Sequence, residues 1–124
     1  MRSVNRWFLA ISAVAVAALM LGLLTSPGTA QNAVARTTTI RVREIEYRFT
    51  LSSKSAPRGR VTFAVKNAGI ALHDFKIDGK RTRGIDAGGT ARLTVNFTKP
   101  GKYPYRCTFD GHAALGMRGV FTIR

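Results

Sequence analysis

The chain has 124 residues, with twenty Lys and Arg against six Asp and Glu for a formal charge of +14; it holds one cysteine, two histidines and three methionines. This length suits one small domain, the lone cysteine excludes an internal disulfide, and the basic balance is suited to an acidic partner. No nucleic-acid partner is expected, because the chain opens with an export signal and has no RNP-like aromatic stretch or recognition-helix pattern.

The first 36 residues read MRSVNRWFLAISAVAVAALMLGLLTSPGTAQNAVAR: Arg2 and Arg6, an uncharged apolar run over 7–24, then Pro27-Gly28 and small residues. A basic start, an apolar middle and a small-residue exit make a secretory signal helix. Cleavage would follow Ala30, or Ala35 where Ala33-Val34-Ala35 gives an A-x-A match. The rival reading of 1–35 is an uncleaved membrane anchor, because residues 7–24 reach the lower end of the roughly 17–25 apolar residues that span a bilayer. Either way Arg2 and Arg6 hold the N-terminus inside, which places the domain of residues 36–124 outside the cytoplasm, periplasmic or secreted. With the leader gone, Met117 is the last methionine, and an unpaired cysteine in an oxidising compartment needs burial, dimerisation or a metal.

Beyond the leader the apolar period is two. TTTIRVREIEYRFTL alternates Ile40 and Val42, then Ile45, Tyr47, Phe49 and Leu51, and its change of phase near Glu44 predicts a bulge or bend between two strand halves. SAPRG is a turn with Pro57 and Gly59. RVTFAVKN alternates Val61, Phe63 and Val65 and ends at Asn67-Ala68-Gly69. HDFKIDG is a short strand opened by His73 and closed by Asp78-Gly79. TARLTVNF alternates Ala91, Leu93, Val95 and Phe97. KYPYRC puts Tyr103, Tyr105 and Cys107 on one face, with Pro104 on the other and at a sheet edge. RGVFTIR closes the chain with Val120 and Ile123 in the core. About seven short strands and no helical period after the leader predict an all-β, Greek-key β-sandwich.

The soft donors fall at one end of that layout. Cys107 closes the penultimate strand, His112 and Met117 follow on a loop at steps of five, and His73 opens a strand after the NAGIAL loop. A helix would place ligands three or four apart, whereas steps of five suit a loop curled around an ion. One thiolate, two imidazoles and a weak thioether form the donor set of a single type 1 copper ion. Zinc more often draws four strong ligands, so the thioether favours copper.

NAGIALHDF followed by PGKYPYRCTFDGHAALGMRGVFTI closely resembles the cupredoxins, the blue copper proteins of the plastocyanin, azurin and auracyanin kind. The resemblance covers nearly all of residues 37–124, and its specific part is C-x4-H-x4-M with an upstream N-x-G…H-x-F. It implies that His73, Cys107 and His112 are equatorial ligands, that Met117 is axial, and that the protein carries single electrons on a Cu(II)/Cu(I) couple. Two positions depart from relatives. Asp74 stands where many have asparagine, and it is expected to accept from the Thr108 amide or hydroxyl and so tie the two ligand loops. Asp110-Gly111 stands where relatives often read Pro-Gly.

Ile70, Ala71 and Leu72 beside His73, and Ala113, Ala114 and Leu115 beside His112, are expected to form a flat apolar docking patch for a protein redox donor and acceptor with an acidic surface. A monomer is expected, with a membrane tether through residues 7–24 if the leader is retained. An extracytoplasmic copper-binding or chaperone protein is the alternative, since it could use the same ligands. A copper enzyme is not expected, because a second copper site needs further histidines. A metal-free scaffold sandwich would leave the four donors as coincidence.

Overall fold

Alternating apolar and polar residues give each strand one face to bury, and two such sheets close over a shared core. The computed structural model describes residues 36–124, so the expected signal helix or anchor lies outside the described residues. Among these residues there are no helices and nine strands: β1 (Thr38–Ile45), β2 (Arg48–Leu51), β3 (Ser55–Ala56), β4 (Gly59–Asn67), β5 (Lys76–Ile77), β6 (Lys80–Arg81), β7 (Thr90–Phe97), β8 (Gly101–Arg106) and β9 (Arg118–Ile123). One sheet has the order β2-β1-β4-β7 and the other β3-β9-β8-β5-β6. The chain passes repeatedly between the sheets, with β1 and β4 parallel and β3 and β9 parallel.

Ile40, Val42, Val61, Phe63, Val65, Val95 and Phe97 face inward from the first sheet and meet Ile77, Tyr105, Phe121 and Ile123 from the second. Phe63 is the hub: its ring lies 5.0 Å from Phe75, 5.3 Å from Phe121 and 6.4 Å from Phe97, centroid to centroid. The contact to Phe121 crosses from the first sheet to the second, and Phe75 lies in the segment that carries His73.

Several strand details differ from expectation. The phase change near Glu44 is a hairpin rather than a bulge. Ile45 pairs with Arg48 across a two-residue turn, Glu46-Tyr47, which has none of the Gly, Asn, Asp or Pro that usually mark a reversal. Tyr47 therefore sits exposed at the turn instead of on the inner face. His73 does not open a strand; it makes an isolated antiparallel bridge with Ile85, and β5 begins at Lys76. Val120 points outward, and the core residues of β9 are Phe121 and Ile123. Pro104 is on an interior strand, β8, but the β5 ladder stops at Ile77–Tyr105, so Pro104 faces no β5 partner. The Asp78-Gly79 turn is as expected, with φ of 50° and 72° in the left-handed region that a two-residue hairpin requires.

Candidate metal centre

Three segments converge at one end of the sandwich: the loop after β4, the end of β8, and the loop between β8 and β9. The last of these closes on itself. Cys107 N–H donates to Met117 O (3.0 Å), Met117 N–H to His112 O (3.0 Å), and His112 N–H to Phe109 O (3.2 Å). Met117 is thus bonded through its backbone to both Cys107 and His112, and its side chain is fully buried.

His73 is brought in from the other side. Its backbone is clamped to Ile85 by two hydrogen bonds of 3.2 and 2.7 Å. The loop before it is stapled by buried Asn67, whose amide donates to Ala71 O (2.8 Å) and Ile85 O (2.7 Å) while its Oδ1 accepts from Gly69 N–H (2.9 Å). This is the physical content of the N-x-G element.

Glu46, in the β1–β2 turn, is the residue that sequence reasoning missed. Its Oε1 accepts Ile70 N–H (2.8 Å) and Ala71 N–H (2.7 Å), and lies 3.0 Å from His73 Nε2. The Ala71 amide leads the donors that hold its carboxyl down to about 2, so Glu46 is an anion and His73 Nε2 is the donor toward it. That fixes the tautomer and leaves Nδ1 as the free electron pair. Gly69 permits the approach, because a Cβ there would collide with the Glu46 carboxylate. No turn signal in EIEYRF marks Glu46; the glycine two residues after Asn67 is the one hint.

The donor atoms of His73, Cys107 and His112 all lie within 4.8 Å of one another. His73 Nδ1 is 3.2 Å from His112 Nδ1, and Cys107 Sγ is 3.5 Å from the same nitrogen. Ligand bonds of roughly 2.0–2.3 Å arranged trigonally put donors about 3.5–4 Å apart, so the spacing fits one ion held between them. Cys107 and His73 are buried and His112 is half-buried. Burial raises the Cys107 thiol above its ordinary pKa, opposed by the backbone amides of Asp74 and Phe109. A cation among these donors would reverse that balance and hold the thiolate.

Asp74 is buried and joins the two ligand-bearing regions: its Oδ1 accepts Thr108 N–H at 2.6 Å, and its Oδ2 accepts the Thr108 hydroxyl. Arg81 approaches Asp74 Oδ2 to 3.9 Å. Glu46 and Asp74 are thus engaged by amides, a hydroxyl and His73 Nε2, so neither is a free fourth ligand of the strong type zinc favours. Met117, buried and hydrogen-bonded through its backbone to Cys107 and His112, offers a thioether from the same loop, and a donor set of one thiol, two imidazoles and a thioether suits copper.

The apolar residues around the site divide by exposure. Ile70, Leu72 and Leu115 are exposed, Ile70 at 90%; Ala114 is exposed, and Ala71 and Ala113 are half-buried. The His112 ring meets Tyr47 edge-on at 5.0 Å.

The family model for the cupredoxin-like domain matches residues 13–122. Auracyanin-B of Chloroflexus aurantiacus is 41% identical over 39 residues, 32% of this chain and only 17% of that protein. Among solved structures, dithionite-reduced auracyanin from Roseiflexus castenholzii superposes with a TM-score of 0.61 at 22% identity, covering 70% of this chain and 97% of that one. Rusticyanin from Thiobacillus ferrooxidans gives a TM-score of 0.61 at 20% identity over 73% of this chain and 79% of its own.

Proposed function

The chain belongs to the cupredoxin-like family, and on that premise we propose that it is an exported blue copper protein that carries single electrons between protein partners. The observation that carries this reading is the convergence of one cysteine sulfur and two imidazole nitrogens within 4.8 Å. His73, Cys107 and His112 would hold the ion, and Met117 would add a weak thioether contact. Copper bound there supplies a one-electron Cu(II)/Cu(I) couple.

The rest of the work belongs to the chain. Glu46 and the Ile85 bridge hold His73 with Nδ1 presented, Asp74 locks the Cys107 strand end to the His73 segment, and burial of Cys107 and Met117 keeps water from the sulfur atoms. A set of donors already held in place needs little rearrangement when the charge changes. His112 is the half-buried member, so its ring edge is the route to a partner, through a patch formed by Ile70, Ala71, Leu72, Ala113, Ala114 and Leu115. The basic surface steers an acidic partner toward it, so association weakens as salt rises. Both histidines of the chain are used in this one cluster, which leaves none for the second copper site of a copper enzyme.

Protein-film voltammetry of the copper-loaded protein, together with electron self-exchange by NMR line broadening, tests the reading. A reversible one-electron wave and fast exchange are expected, with Ala114→Asp slowing exchange and leaving the copper spectrum intact. Tight Cu(I) binding with negligible exchange would instead mark a protein that stores or delivers copper.

A further inference from the structure

The pairing register of the second sheet sets Arg118 opposite Arg106, Arg106 opposite Lys76, and Lys76 opposite Arg81. One row across β9, β8, β5 and β6 is therefore entirely cationic. At the usual spacing of about 4.8 Å between strands it runs about 14 Å. Like charges directly opposed destabilise a sheet, and here three successive pairs do so. Among the described residues the row's one ion pair is the 3.9 Å approach of Arg81 to Asp74. Arg118, Arg106 and Arg81 are exposed and Lys76 is half-buried.

General basicity does not account for this row. On the outer face of the first sheet Arg43 opposes Lys66, but Ala64 stands between Arg41 and Arg92. The second-sheet row also borders the metal loop: Arg106 precedes Cys107, Arg118 follows Met117, and Arg81 donates to Thr108 Oγ1 at 3.4 Å. Beside it lies an apolar strip, Pro104 opposite Val120. The strip and three of the four cations, Lys76, Arg106 and Arg118, line a groove of about 540 Å³ whose one acid is Asp78.

We propose that this row docks an extended acidic segment of a protein redox partner, its carboxylates along the four cations and an apolar side chain against Pro104 and Val120. In an extended chain, alternate side chains point the same way about 6.8 Å apart, so acids at every second position, three in all, span the row. A lipid surface would call for a broad field rather than one row flanked by an apolar strip. That the partner is a redox protein rests on the electron-carrier reading, whereas the row's preference for an acidic chain does not.

The test is fluorescence anisotropy of a labelled peptide, Glu-Ala-Glu-Leu-Glu, titrated at low salt with the copper-loaded protein. Saturable binding is expected. Lys76→Glu turns two of the three like-charge pairs, those with Arg106 and Arg81, into opposite-charge pairs, so it should raise Tm while weakening binding about tenfold or more. Arg118→Gln should weaken binding less, and Arg92→Gln on the other sheet should leave it unchanged. Undiminished affinity in Lys76→Glu, an equal loss in Arg92→Gln, or an unchanged Tm in Lys76→Glu would each overturn the proposal. So would Lys76-dependent binding to vesicles containing one-third phosphatidylglycerol without binding to the peptide. Anisotropy does not depend on the copper spectrum, so failure of the metal reading and failure of this docking site are told apart.

Discussion

The two regions that build the metal centre are held in opposite ways. The loop from Cys107 to Met117 is held largely by its own backbone, its donors spaced along eleven consecutive residues and closed by hydrogen bonds between them. The His73 region is held from a distance: Glu46 is 27 positions away, Ile85 twelve positions on, and Ala68 N–H reaches Glu44 O at 2.9 Å. Asp74 is the bolt between the two. One ligand loop is therefore a local device, and the other depends on the β1–β2 hairpin.

That contrast is broken most strongly at Glu44. Its side chain is fully buried, neither oxygen has a hydrogen-bond partner, and its backbone anchors the start of the His73 loop. Burial, with the Asp74 charge second, pushes its carboxyl up to about 7. The neutral form is the one the fold accepts, so this contribution to stability is complete below the ordinary carboxylate pKa and is lost as pH rises through about 7. Over that window the native protein should lose on the order of 3 kcal/mol. Urea titrations across pH should show that slope, and Glu44→Gln should flatten it. An identical slope in the variant would place the titration elsewhere.

Glu46→Gln sharpens the comparison next. Removing the anion beside His73 Nε2 should weaken copper binding roughly tenfold, at the lower end for groups that orient metal-binding histidines. Amide exchange should quicken at Ile70 and Ala71 and stay unchanged at Cys107 and Met117. Equal quickening in both loops would mean that they are not held separately.

The smallest effect is expected at the bolt. Asp74→Asn keeps an acceptor for Thr108 but removes an anion near the thiolate, so the reduction potential should rise, moderated by Arg81, which already approaches Asp74. An unchanged or lower potential would show that the Asp74 charge is not felt at the metal.

The same contrast explains what the sequence makes legible. Steps of five between Cys107, His112 and Met117 are visible in eleven letters, and the alternation in β4 and β7 marks both strands with their inner faces. Asp74 opposite Thr108 is also within reach, because each follows a candidate ligand. Glu46 is hidden because its role needs the β1–β2 hairpin, and that hairpin turns on Glu-Tyr, a pair without turn chemistry. Val120 is misplaced for a simpler reason: Val120 and Phe121 are both apolar, and period two cannot say which one faces in until Ile123 sets the phase. The cationic row depends wholly on register across four strands, so no single stretch of sequence displays it.

The central claim, that His73, Cys107, His112 and Met117 form one type 1 copper site, is tested most directly by optical and EPR spectra of the purified protein after one equivalent of Cu(II). An intense blue or green thiolate charge-transfer band with narrow copper hyperfine splitting, abolished in Cys107→Ala, is the predicted result. A colourless protein, or a weak and ordinary square-planar Cu(II) signal that survives Cys107→Ala, would contradict it.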